Sequence, residues 1–175
     1  MPTQPAETPI TATTPVTTSA TAPAASAAVA AERRAALAAH CERYDVDAVY
    51  AFGSRAREAL AWLRGEVECL AYGGSDIDIA VKGPGSGSGR DLSLDDKVGL
   101  TIALEDFFQV ARVDLVTFAE AGAFLAVDII RGERLYAADA RRADELDLYI
   151  LRRAGDLAPF ERQRRALVLG IRDPR

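Results

Sequence analysis

The chain has 175 residues, 49% hydrophobic and 27% charged, which suits one domain able to bury a real core and excludes a fibrous protein. A net charge of -5 argues against binding nucleic acid by bulk attraction. No stretch approaches the roughly 18 uninterrupted apolar residues of a bilayer helix, and the first residues lack the basic start and apolar core of a secretory signal. No membrane association is expected, and a cytoplasmic location is the default.

Residues 1–26 are threonine, alanine and proline with Glu7 as the only charged side chain, and hold five of the eight prolines. They offer too little apolar surface to offset the entropy of ordering, so a disordered tail is expected. Ser26 can cap a helix from Ala27 to about Tyr44, with Val29, Leu37, Cys41 and Tyr44 near one face. Asp47 to Phe52 reads as the first strand, Arg55 to Arg64 as a helix ended by Gly65, and Val67 to Tyr72 as a short ambiguous piece. Asp76 to Val81 is the second strand, and the glycine-serine run from Gly83 to Gly89 after it predicts a mobile loop.

Ser93 with Asp96 forms a capping box for a helix to about Gln109, with Val98, Ile102, Leu104 and Phe108 available to pack on a sheet. Ala111 to Thr117 is a third strand containing Asp114. A helix from about Ala119 to Arg131, a short strand at Arg134 to Tyr136, and one or two helices from about Arg142 follow. Residues 131–175 carry eleven arginines against eight acidic groups, which hints at a basic docking face. Mixed strands and helices define an α+β or α/β class with a small sheet. The expected organisation is a tail over 1–26, a catalytic domain over 27–140 and a helical extension over 141–175. Cys41 and Cys69 show no CxxC spacing, and the one histidine, His40, cannot complete a zinc set, so both cysteines read as small apolar side chains.

The chemistry is concentrated in two places. Gly53-Ser54 closes an apolar strand, and Ser75-Asp76-Ile77-Asp78-Ile79-Ala80-Val81 follows. On a strand, Asp76 and Asp78 project together while Ile77, Ile79 and Val81 project to the core. Two carboxylates side by side repel unless a cation lies between them, and oxygen ligands of this kind suit Mg²⁺ with substrate phosphates. If the strand of Asp114 lies alongside, a third acid joins them at a strand spacing of about 4.8 Å, and such a trio can hold two metal ions. Gly53 lets backbone approach phosphates, Ser54 and Ser75 offer hydroxyls beside them, and Arg55 and Arg57 could grip phosphate with their planar forks.

These segments, with Arg112-Val113-Asp114-Leu115-Val116 and the run Ile129 to Tyr136, resemble the minimal nucleotidyltransferases of the DNA polymerase beta superfamily, over about Val46 to Tyr136. The resemblance implies a small mixed sheet backed by helices. It also implies two Mg²⁺ ions held by the catalytic carboxylates Asp76, Asp78 and Asp114, with ATP or another nucleoside triphosphate as substrate. One departure is the 21 residues between Ser54 and Asp76, about twice the family's usual spacer. The extra length could form an extended helix with a small strand or flap over the nucleotide, or displace Ser54, and its Trp62 and Tyr72 could stack on a base.

By the same resemblance, the implied activity is transfer of a nucleoside monophosphate, AMP from ATP, to a hydroxyl of a protein or small molecule. Many relatives are antitoxins that silence a HEPN-type toxin by adenylylating a tyrosine. A second reading is a catalytically impaired module that clamps a partner protein through the basic C-terminal helices. A third, polymerase-like action on nucleic acid, has less support because the chain is acidic and shows no basic patch interleaved with aromatics.

Overall fold

A computed structural model of the chain describes residues 22–71, 76–85 and 87–170. Its elements are α1 (Ala22–Arg43), β1 (Ala48–Phe52), a 3₁₀ turn (Gly53–Arg55), α2 (Ala56–Leu63), β2 (Ile77–Lys82), α3 (Leu94–Phe108), β3 (Val113–Thr117), α4 (Ala123–Ile130), β4 (Glu133–Ala137) and α5 (Ala140–Leu169). The strands form one sheet in the order β3-β2-β1-β4, with β1 antiparallel to β2 and β4, and β2 parallel to β3. This is the small mixed sheet backed by helices.

The period of two along each strand sorts side chains into two cores. Val49, Ala51, Ile77, Ile79, Val81 and Val113 face α1, α2 and α3, meeting Leu37, Cys41, Trp62, Leu63, Leu100, Leu104 and Phe108. Ala48, Tyr50 and Ala80 face the other way, against Phe118 just after β3, Ala126 and Ile129 of α4, and Leu146 and Ile150 of α5. Asp78 of β2 lies on this second face, near the start of the strand.

Four helical expectations need correction. Val98 and Ile102 are more than half exposed, and α3 buries Leu100, Leu104 and Phe108 instead. Both faces of α3 carry apolar residues, and only the position of the sheet selects one. Val29 is likewise exposed. The helix expected from Ala119 begins at Ala123, because Glu120 and Ala121 turn back onto the Thr117 carbonyl. Helix α1 starts at Ala22, so Ser26 lies inside it and donates to Gly65 O at 2.9 Å rather than capping. The rest of the tail, residues 1–21, lies outside the described residues.

Other local signals hold. Ser93 Oγ accepts from Asp96 N at 3.1 Å and caps α3. One closing helix, not two, occupies 140–169, with Asp139 Oδ1 accepting from the N–H groups of Arg141 and Arg142. Cys41 is buried, which pushes its thiol up to about 12, whereas Cys69 is exposed. At the far end of β2, Lys82 is only 4% exposed. Its ammonium is satisfied by Asp47 Oδ2 at 2.7 Å, Gly83 O at 3.0 Å and Gly85 O at 2.8 Å, which ties the start of the glycine loop to the sheet. No helix among the described residues is long and apolar enough to cross a membrane.

Candidate active site

The site lies where β1 ends and β2 begins. Phe52 pairs with Asp78 across the antiparallel ladder, so the Gly53–Arg55 turn comes down beside Asp78. Gly53 has a φ of +71°, in the left-handed region, and a Cβ there would collide with Asp78 Oδ2. The position therefore requires glycine both for its backbone and for the space above the carboxylate.

The parallel register of β2 and β3 sets Asp78 directly opposite Asp114. Asp76, two residues earlier, lies on the same side as Asp78. Burial, and then the charges of Asp114 and Asp76, raise the Asp78 carboxyl above the usual range. Arg112, two residues before Asp114 and so on its face, crosses the gap. Its Nε and Nη2 donate to Asp114 Oδ1 at 3.1 and 2.9 Å, and its Nε is 3.4 Å from Asp76 Oδ2. No three acidic side chains among the described residues are gathered as a chelating set, so the expected trio is not assembled as metal ligands in this structure. The donors are nonetheless hard oxygens carrying excess negative charge, the chemistry Mg²⁺ takes. Arg112 supplies positive charge where that cluster needs it.

The phosphate-gripping candidates divide. Ser54 is exposed on the 3₁₀ turn and Arg57 is exposed in the first turn of α2. Arg55 is held by the spacer: it is 9% exposed and donates to Glu58 Oε2 at 2.8 Å, Glu58 Oε1 at 3.1 Å and Ala71 O at 3.2 Å, while the charge of Asp76 also acts on it. Glu58 also accepts from Ala71 N, and the hydrogen bonds from Arg55 hold its carboxyl below the usual range. Ser75 and Tyr72 lie outside the described residues.

The long spacer is neither an extended helix nor a strand as far as Ala71; after α2 it is turn and bend. Backbone groups without a ladder need other partners, and α1 provides them. Arg33 donates to Trp62 O, to Val67 O at 2.9 Å and to Glu68 O at 2.9 Å, with its guanidinium 4.0 Å above the Trp62 ring. Trp62 itself is 4% exposed and packs on Phe107 and Phe108, so it is a core residue and not a base-stacking platform.

Two site residues escaped the sequence reading. Arg112 was signalled by its i, i+2 spacing from Asp114 on a strand, and Glu58 by its i+3 spacing from Arg55 on a helical turn. Neither spacing has meaning until the acids are known to meet.

A mixed sheet with a Gly-Ser turn over one strand acid and a second acid in register beside it defines a nucleotide-transfer domain. The family model described as "Polymerase beta, Nucleotidyltransferase" matches residues 36–141, and the chain belongs to this nucleotidyltransferase family. No match is found among curated proteins. Among solved structures the chain is similar to one described as a toxin-antitoxin with AMP-PNP, at 17% identity and a TM-score of 0.55, covering 79% of this chain and 97% of that one. It is also similar to a structure of a tri-AMPylated Shewanella oneidensis HEPN toxin in complex with MNT antitoxin, at 17% identity and a TM-score of 0.53, covering 81% and 98%. A third, the toxin-antitoxin MntA-HepT, shares 16% identity with a TM-score of 0.52, covering 81% and 97%. At these identities the likeness is one of fold.

Proposed function

We propose that this protein moves AMP from ATP onto a hydroxyl of a partner protein, as the antitoxin of a cytoplasmic HEPN-type toxin pair. The observation that carries the reading is the register that sets Asp114 beside Asp78, with Gly53 lying against the Asp78 carboxylate. Neighbours of the same fold that are complexed with AMP-PNP or with an AMPylated HEPN toxin support the choice of nucleotide and acceptor.

In the reaction the acceptor hydroxyl oxygen bonds to the α-phosphorus, the bond to the pyrophosphate oxygen breaks, and the hydroxyl proton passes to Asp114. Asp76, Asp78 and Asp114 would hold two Mg²⁺ ions, whose chemistry is to neutralise charge on the phosphates and the leaving pyrophosphate. Gly53 admits the triphosphate close to backbone, and Ser54, Ser75 and Arg57 bind its oxygens. Arg55 is a positioning residue, anchoring the spacer through Glu58 and Ala71. Arg112 neutralises Asp76 and Asp114 while no ion is bound.

Incubation with radiolabelled ATP, Mg²⁺ and the HEPN partner or cell extract should label one protein, and Asp78→Asn should abolish the labelling. A binding module without catalysis is the second reading, favoured by the Arg112 bridge across the acids. Titration calorimetry with ATP and Mg²⁺ separates the two, since an absence of binding heat leaves only the clamp.

A further inference from the structure

Helix α5 is 30 residues long with Pro159 inside it, and a heptad register can be laid along it whose positions are apolar apart from Asp147, Glu161 and Arg164. Positions 143, 150, 157 and 164 form one half of the seam and positions 147, 154, 161 and 168 the other. The first half of the helix buries this seam on its own domain, through Ala143, Ile150 and Ala154 with Leu146 beside them. Beyond Ala154 the same face continues, but its apolar residues are open. Leu157 is 39% and Val168 71% exposed, and the flanking Phe160 and Leu167 are 68% and 83% exposed.

The middle of the open seam is charged. Glu161 accepts from Arg164 Nε and Nη2 at 2.7 and 2.8 Å and from Arg165 Nε at 3.0 Å. A parallel partner of the same sequence would set Arg164 against Arg164 and Glu161 against Glu161. An antiparallel one, centred between residues 162 and 163, sets Leu157 of one copy on Val168 of the other and Glu161 on Arg164. The flank then matches as well, Phe160 of one copy meeting Leu167 of the other. Apolar contact and charge are thus both self-complementary about a two-fold axis, as an isologous interface requires. A central polar layer also fixes register and orientation.

We propose that the outer half of α5, residues 155–169, pairs antiparallel with the same segment of a second copy of this chain, Glu161 of each facing Arg164 of the other. The pairing uses none of the residues assigned to nucleotide transfer and stands apart from that reading.

Sedimentation velocity on the full chain should show a reversible dimer with a Kd of roughly 1–100 µM, as suits a short interface. Arg164→Glu sets acid against acid in both symmetric layers and should weaken pairing at least about tenfold. The double variant Glu161→Arg with Arg164→Glu should restore it. A monomer throughout that range, an Arg164→Glu variant that pairs like its parent, or a double variant that stays apart would each overturn the proposal. A cross-link decides the matter where a charge variant loses helicity. In a Cys69→Ser background, Leu157→Cys mixed with Val168→Cys should form a mixed disulfide. A disulfide between two Val168→Cys chains would mean a parallel pair and also overturn it.

Discussion

Replacing Asp78 by asparagine should stabilise the metal-free protein and destroy its activity. Asp78 is paired in register with Asp114, at a strand spacing of about 4.8 Å. Two unit charges about 5 Å apart repel by roughly 1–2 kcal/mol at an effective dielectric of about 40–80. Arg112 offsets part of the Asp114 charge, while the desolvation of Asp78 adds to the cost of keeping it ionised. The net gain expected for Asp78→Asn is about 1 kcal/mol, or a Tm higher by roughly 2–4 °C for a domain of this size. Because the folded state raises the Asp78 pKa, the parent binds the extra proton more readily when folded, and its relative stability falls as pH rises through that raised value. The advantage of the variant should therefore be largest near neutrality and vanish in acid. Thermal melts in EDTA across pH measure it, and the same melts with Mg²⁺ should narrow the gap by stabilising only the parent. Label transfer from ATP should fall at least about 100-fold, as loss of several kcal/mol of metal stabilisation requires. An Asp78→Asn protein that melts lower than its parent in EDTA at neutral pH would refute the charge-crowding argument. One that transfers label at the full rate would refute the catalytic assignment.

Gly53→Ala forces a left-handed residue and a Cβ onto the Asp78 carboxylate. A loss of about 1–2 kcal/mol in urea unfolding is expected, with transfer reduced on the order of 100-fold by misplacement of the turn. Lys82→Met leaves Asp47 and the carbonyls of Gly83 and Gly85 without their donor, which should cost about 3 kcal/mol in the same measurement; a change within a few tenths would show that the ammonium is dispensable. Arg112→Gln removes the positive charge between Asp76 and Asp114. Its melting temperature should drop in EDTA and recover further with Mg²⁺ than the parent's does; equal Mg²⁺ responses would mean that the guanidinium is a bystander to the acids.

The strands, the capped start of α3 and the two-faced character of β2 were legible along the chain, because each depends on residues within a turn or two. Alternation of Asp76, Ile77, Asp78 and Ile79 assigns sides on a strand whatever its neighbours are. Ser93 and Asp96 meet by helical geometry alone. What the linear order left open was every choice made by a distant partner. Val98 and Leu100 are both apolar on α3, and only the sheet beneath decides that Leu100 is covered. Arg55 and Arg57 looked alike along the chain, and only the fold sets Arg55 against Glu58 and Ala71 while leaving Arg57 exposed. Trp62 could have served a nucleobase, but Arg33, Phe107 and Phe108, far away in sequence, enclose it. The meeting of Asp78 with Asp114 belongs to the same class. Their side chains share a face because β3 adds to the sheet edge parallel to β2, a pairing between segments that α3 separates along the chain and that no short motif specifies.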